Sequence, residues 1–219
     1  MTQLIEALSY PFVQRAIAAG VMISLCAALL GVILVLKQYS LIGHGLGDVG
    51  FASTSLAVAL GLPVMAVSIP IVVIAACLIM FWSQRSKTGG DTAIGMVATG
   101  ALSIGVIITA MSSGFNVDVN GYMFGSILAM SREDVIFSVV LSIVILVLFV
   151  VFYNRLFLIT FDENFAKASG IRVGFYQFLI ALLTALTVVM GMRMMGSLLI
   201  SSLIIFPAVI ARKLVVSFK

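Results

Sequence analysis

Charged residues are scarce in this chain of 219 residues, where they make up 9% of the sequence. A soluble domain of this size needs about a quarter of its residues charged to cover its surface. Hydrophobic residues account for 63% of the chain, and the mean hydropathy is +1.29. The composition therefore excludes soluble globular, disordered and collagen-like proteins and predicts an integral membrane protein.

Cysteine is also scarce, and both cysteines, Cys26 and Cys77, lie within apolar stretches. A thiol in such a place behaves as a small hydrophobic group, so a disulfide scaffold is excluded. Lysine and arginine are dispersed between apolar runs, although the net charge is +4. This dispersion argues against a nucleic-acid-binding face and indicates a membrane topology signal. The first apolar run is about 25 residues long and follows a segment without basic residues, so a cleaved signal peptide is not expected.

About seven apolar stretches are long enough for the roughly 20 residues that a bilayer requires. They lie at 12–36, 41–60, 63–82, 92–111, 134–155, 173–192 and 194–211. Turn-forming or polar residues separate them. The sequence therefore predicts an all-α polytopic membrane protein with about seven transmembrane helices, built as a single domain over residues 1–219.

The basic residues are distributed unevenly between the two sides that these spans define. Cytoplasmic segments of membrane proteins carry an excess of lysine and arginine. With the N-terminus outside and the C-terminus in the cytoplasm, Arg15, Arg132 and Arg193 face outward, and the inward side holds Lys37, Arg85, Lys87, Arg155, Lys167, Arg172, Arg212, Lys213 and Lys219. We therefore expect this orientation.

The segment 112–133 is predicted to lie on the outer side, between the fourth and fifth spans. It is too long for a turn and too poor in apolar residues for a span. A short helix over Tyr122–Met130, lying in or dipping into the outer interface, fits the pattern, and an ordinary loop is the alternative. Asp118 and Asn120 could supply oxygen ligands at an outer mouth, with loop residues that bind nothing as the alternative.

An ionisable pair lies inside the second predicted span. Such side chains cost several kcal/mol within a membrane and indicate a functional site. His44, the only histidine, precedes Asp48 by four residues, so both side chains lie on one helical face. Nitrogen and carboxylate ligands suit zinc, manganese or iron. The spacing predicts a metal site at His44 and Asp48, and a mutually hydrogen-bonded pair is the alternative.

Glycines surround this pair, and small residues let a neighbouring helix approach closely. They are Gly43, Gly45, Gly47 and Gly50. Two ligands cannot complete a four- or six-coordinate shell. Further ligands must therefore come from outside this helix.

Residues Gly45 to Asp48 also match the GxGD pattern of intramembrane aspartyl proteases. That chemistry needs two carboxylates that share a proton. Asp91, at the start of the fourth span, is the one plausible second carboxylate. An intramembrane protease is therefore an alternative function, and a membrane scaffold that transports nothing is another.

The cytoplasmic segment between the fifth and sixth spans predicts a short helix parallel to the membrane. Asp162 can cap it, Glu163 suits its first turn and Gly170 can end it. Phe165, Ala168 and Ser169 would form a face suited to a partner's groove. A helix that only connects two spans is the alternative.

Four segments carry a family resemblance, in the order SLIGHGLGDVGFAS, NGYMFGSILAMSREDV, FDENFAKASGI and MRMMGSLLISSLIIFPA. With them the chain resembles the permeases of zinc/manganese-type metal ABC transporters, as in bacterial high-affinity zinc uptake systems. The resemblance implies an ATP-driven importer of divalent zinc or manganese that works by alternating access in the bacterial plasma membrane. The chain itself would not be an enzyme and would hold no permanent cofactor, because ATP binds the partner subunit.

The resemblance also implies partners. They are a second permease copy, cytoplasmic ATP-binding subunits and an extracytoplasmic metal-binding protein. The coupling helix that the ATPase moves would comprise Asp162, Glu163, Phe165, Ala166, Lys167, Ala168, Ser169 and Gly170. Gly121–Ser131 would lie near the outer gate, and Pro207 would bend the last span.

The chain departs from the family pattern in two ways. The family places the acidic residue first and the histidine four residues later, whereas here His44 precedes Asp48. The ligand types are kept, but the deeper of the two groups changes. Relatives also continue past the segment that matches Ala208–Lys219 with further membrane-spanning sequence, so we expect this chain to lack the family's last spans.

Overall fold

The structure is a computed structural model that describes residues 9–85, 90–111, 125 and 132–214. Within these ranges every regular element is a helix, which confirms the all-α prediction. The helices are α1 (Pro11–Leu36), α2 (Ile42–Ala59), α3 (Val64–Arg85), α4 (Gly90–Met111), α5 (Arg132–Phe161), α6 (Glu163–Ala168) and α7 (Val173–Leu214).

Five of the described helices are long and apolar enough to cross a membrane: α1, α3, α4, α5 and α7. Helices α1, α3 and α4 each begin and end within about three residues of a predicted span, whereas α5 extends to Phe161, beyond the predicted end at 155. Helix α2 also coincides with a predicted span, but its glycines, its serines and the His44–Asp48 pair dilute its apolar content. The two last predicted spans lie in the single element α7, which has 42 residues.

Helix α7 is interrupted at Gly196, where φ is 83° and ψ is 162°. Glycine tolerates this left-handed backbone because it has no Cβ. A methyl group placed on Gly191 would overlap the side chain of Ile200, so these two residues are in contact. They are nine positions apart in sequence, and an unbroken helix would separate them by about 13.5 Å. The two halves of α7 therefore meet at a sharp turn. Pro207, which the resemblance implied would bend this segment, lies within the second half of α7.

An ion pair ties this turn to the start of α5. Nη1 of Arg193 lies 3.2 Å from Oδ1 of Asp134, in the first turn of that helix. Arg132 lies at the same end of the bundle and lines a pocket together with Arg15 of α1. We call this the Arg132 end.

Helix α2 packs against α3, α4 and α7. Its glycines remove side chains where the neighbouring helices approach. A methyl group on Gly47 would lie 2.9 Å from Cβ of Ser197 in α7, and one on Gly45 would overlap Ile94 in α4. These contacts confirm that the glycine-rich segment admits close helix neighbours on two sides.

Helix α6 forms at the opposite end of the bundle, which we call the α6 end. Oδ1 of Asp162 accepts a hydrogen bond from the backbone N–H of Phe165 at 2.9 Å, as a helix N-cap does. Gly170 follows the helix with φ of 77°. The predicted cap and the predicted end of this short helix are both confirmed.

Candidate metal site and its surroundings

The His44 and Asp48 side chains lie one turn apart on α2. Nε2 of His44 is 3.8 Å from Oδ2 of Asp48. This separation exceeds the distance of a hydrogen bond, so the pair does not satisfy itself directly. The side chain of His44 is 51% exposed and that of Asp48 is 15% exposed. Both groups therefore keep ligand atoms available to an ion.

The neighbours of α2 leave this face open. Gly43 and Gly47 lie against the second half of α7, whereas Gly45 lies against α4. Because a helix turns by about 100° per residue, positions 44 and 48 fall between these two contacts. The pair therefore lies in the cleft between α4 and α7.

Backbone from the segment 112–131 reaches the same region at Gly125, where φ is 68°. A methyl group on Gly125 would overlap the backbone of Gly196, so the backbones of these two residues are in contact. The next residue, Ser197, contacts Gly47, which precedes Asp48. The break in α7 therefore lies close to the candidate ligands.

Several expectations for this segment fall outside the described residues. Asp118 and Asn120 are among them, as is the predicted interfacial helix Tyr122–Met130 apart from Gly125. The outer gate implied for Gly121–Ser131 also lies outside the described residues, apart from Gly125.

Within the described part of the chain, no three His, Cys, Asp or Glu side chains converge on one point. Among the described residues, one copy of the chain therefore brings together two candidate ligands, His44 and Asp48. A nitrogen and a carboxylate with open positions suit an ion that is held briefly and passed on, because its shell stays incomplete.

Asp91 has a structural contact that the sequence did not reveal. Its Oδ1 accepts a hydrogen bond from the backbone N–H of Leu41 at 3.0 Å, just before α2 begins. Asp48 lies seven residues further on, which is about 10 Å along the helix. Two carboxylates so far apart cannot share a proton as a protease requires. The geometry therefore disfavours the aspartyl protease alternative.

The carboxylate of Glu163 has three partners at the α6 end. Oε1 accepts from Nζ of Lys167 at 2.7 Å, and Oε2 accepts from Nε2 of Gln177 at 3.1 Å. Oε2 also lies 3.9 Å from Nζ of Lys37, which follows α1. Burial lowers the pKa of Lys37, while Glu163 acts in the opposite direction. One carboxylate thus joins α6 to α1 and α7.

The remaining residues predicted to couple to an ATPase divide between two faces of α6. Ala166 is buried, whereas Lys167, Ala168, Ser169 and Gly170 are exposed. Phe165 is 58% exposed, a large fraction for an aromatic side chain. The helix therefore has an outward face with Phe165 and an inward face with Glu163 and Ala166.

These features define a class of protein. Five of the described helices are long and apolar enough to cross a bilayer, and α2, packed among them, carries an open pair of candidate metal ligands. This arrangement is that of a polytopic membrane protein.

The ABC 3 transport family matches residues 9–219, and the chain belongs to this family. Over 206 residues it is 29% identical to the manganese transport system membrane protein MntC of Halalkalibacterium halodurans, covering 94% of this chain and 70% of that protein. It is 31% identical over 202 residues to the high-affinity zinc uptake system membrane protein ZnuB of Haemophilus influenzae, covering 90% and 76%. The solved structure of PsaBC from Streptococcus pneumoniae in complex with Fab superposes with a TM-score of 0.83 at 29% identity, covering 99% of this chain and 78% of that one.

Proposed function

We propose that this chain is the membrane permease subunit of an ATP-driven importer of divalent manganese or zinc. The observation that carries the proposal is the open His44–Asp48 pair on α2, in a member of the ABC 3 transport family. Relatives named for manganese transport and for zinc uptake support the choice of these two metals.

In the proposed cycle the metal is cargo. It enters from the Arg132 end, is held by Asp48 and His44, and leaves toward the α6 end by alternating access. His44 lies nearer to the α6 end, since α2 begins there, so it is the later contact. A second copy of the chain would add a second pair, and two pairs supply the four ligands that a zinc-like ion prefers.

The α6 end would face the cytoplasm of a bacterial cell, with the N-terminus outside, as the excess of basic residues on that side supports. A cytoplasmic ATP-binding subunit would dock on the outward face of α6 at Phe165 and would perform the ATP hydrolysis. An extracytoplasmic metal-binding protein would deliver the ion to the Arg132 end. Asp118 and Asn120 are proposed to lie at that mouth.

The test is uptake of radiolabelled manganese and zinc by cells that carry the chain with its neighbouring ATPase and binding protein. His44→Ala and Asp48→Ala should each abolish uptake while the complex still co-purifies. Ala52→Ser, one turn further along α2, is the matched control and should transport normally. Uptake that survives in both alanine variants would exclude the pair as the path, and wild-type uptake of neither metal would refute the proposal.

A further inference from the structure

We propose that Glu163 is the positioning residue through which movement of α6 reaches the helix that carries His44 and Asp48, by way of its ion pair with Lys37. The inference rests on the proposed function and concerns how the permease is driven. It divides α6 into an outward face that docks the ATPase and an inward face that transmits its movement.

The first step from α6 to α2 is the carboxylate of Glu163 itself. Its Oε2 atom faces Lys37 at 3.9 Å and Gln177 at 3.1 Å, so it contacts residues of two other elements. Ala166, one turn away from the Asp162 cap, is fully buried and fixes the rotation of α6. Movement of α6 therefore displaces the partners of Glu163.

The second step is Lys37. Its side chain is 11% exposed, so the ammonium group has few water molecules to replace a lost partner. Removing one member of an ion pair in such surroundings is strongly destabilising, because the other charge remains desolvated and unpaired. Lys37 therefore follows Glu163 more closely than an exposed lysine would.

The third step is the short connection from Lys37 to α2, which is fixed at three points. Gln38 has φ of 60°, a left-handed backbone that non-glycine residues rarely adopt. Tyr39 is buried against Gly90, where an added methyl group would lie 2.7 Å from the ring. Leu41 donates its N–H to Asp91 at 3.0 Å. A connection held in this way transmits a displacement and does not absorb it.

Four single variants and one double variant test the assignment in the purified complex of permease, ATPase and binding protein reconstituted in liposomes. Glu163→Gln keeps the size of the side chain and its contact with Gln177 but loses the charge. Lys37→Met removes the partner charge, Lys37→Arg keeps it, and the double variant combines Glu163→Gln with Lys37→Met. Lys213→Met removes an exposed lysine at the end of α7, outside α6, so it is the matched control.

We expect Glu163→Gln and Lys37→Met to lower metal transported per ATP hydrolysed by about tenfold, a typical size for coupling between sites. The complex should stay assembled and should still hydrolyse ATP. The double variant should be no worse than either single one, because both remove the same interaction. Lys37→Arg should retain transport because it keeps the positive charge, and Lys213→Met should resemble the wild type.

Other results overturn the inference. They are additive effects in the double variant, a Lys213→Met variant as impaired as Glu163→Gln, or loss of ATPase co-purification in Glu163→Gln, which would make Glu163 a docking residue. Wild-type liposomes that transport neither metal would refute the proposed function itself. Wild-type transport with unchanged coupling in both single variants would refute only the role of Glu163.

Discussion

The ionisable residues of α2 and those at the α6 end differ in how closely other groups of the chain contact them. His44 and Asp48 lie 3.8 Å apart and keep open ligand positions. Glu163 has three side-chain partners at 2.7 to 3.9 Å, and Asp91 accepts a hydrogen bond from the backbone of Leu41 at 3.0 Å. Charges at the α6 end have partners within the chain, whereas the two groups that we propose to bind the cargo keep open positions.

The same substitution in the two regions gives the largest expected difference. Asp48→Asn should lower metal uptake at least about a hundredfold, because outer-shell partners of a metal already contribute 10- to 100-fold and Asp48 is a direct ligand in our proposal. Asp91→Asn keeps an oxygen that accepts from Leu41 and should transport within severalfold of the wild type. Uptake assays on both variants check this, and equal losses would remove the distinction between the two regions.

Glycine positions give the next largest effect, on stability. A methyl group on Gly31 would overlap the backbone carbonyl of Ile204 in α7, which cannot move as a side chain can. We expect Gly31→Ala to destabilise the protein by about 1–3 kcal/mol. Gly95→Ala, where no atom lies within 4 Å, is the matched control and should be neutral or stabilising by up to about 1 kcal/mol. Thermal unfolding in detergent measures both, and similar midpoints would contradict the packing of α1 on α7.

The turn in α7 gives a similar but smaller effect. Gly196 has φ of 83°, so Gly196→Ala should cost about 1–2 kcal/mol from left-handed backbone strain. Gly174→Ala, also in α7 but with open space around it, controls for the helix itself. Thermal unfolding of the two variants measures the difference in stability. An unchanged unfolding midpoint in Gly196→Ala would argue against a break at this residue.

The smallest expected effect is the pH dependence that arises from Lys37. Burial lowers its pKa in the folded state, so the folded protein releases this proton at lower pH than the unfolded chain does. Stability should therefore rise with pH between the lowered pKa and the ordinary lysine value. Lys37→Met should remove this rise. Unfolding midpoints across alkaline pH measure it, and identical pH profiles for the two proteins would contradict the burial of Lys37.

The helices and the α6 cap could be predicted from the sequence because they depend on local patterns. Apolar length marks the spans, Asp162 and Gly170 mark the ends of α6, and a spacing of four residues places His44 and Asp48 on one face. Each of these features is set by residues close together in the chain.

The contacts of Lys37 with Glu163 and of Asp91 with Leu41 could not be predicted, because they join residues far apart in sequence. The hydrophobic pattern of the sequence does not show which helix ends pack against each other. The break in α7 was predicted nearby, between the spans 173–192 and 194–211, and the structure places it at Gly196. The contact of Gly196 with Gly125 could not be predicted.

X-ray absorption spectroscopy of the assembled transporter loaded with zinc identifies the ligand atoms of the bound metal. We predict nitrogen and oxygen ligands with an imidazole contribution that disappears in His44→Ala, and a reduced number of oxygen ligands in Asp48→Asn. A bound-zinc spectrum that is the same in the wild type and in both variants would contradict the assignment of His44 and Asp48 as the metal site.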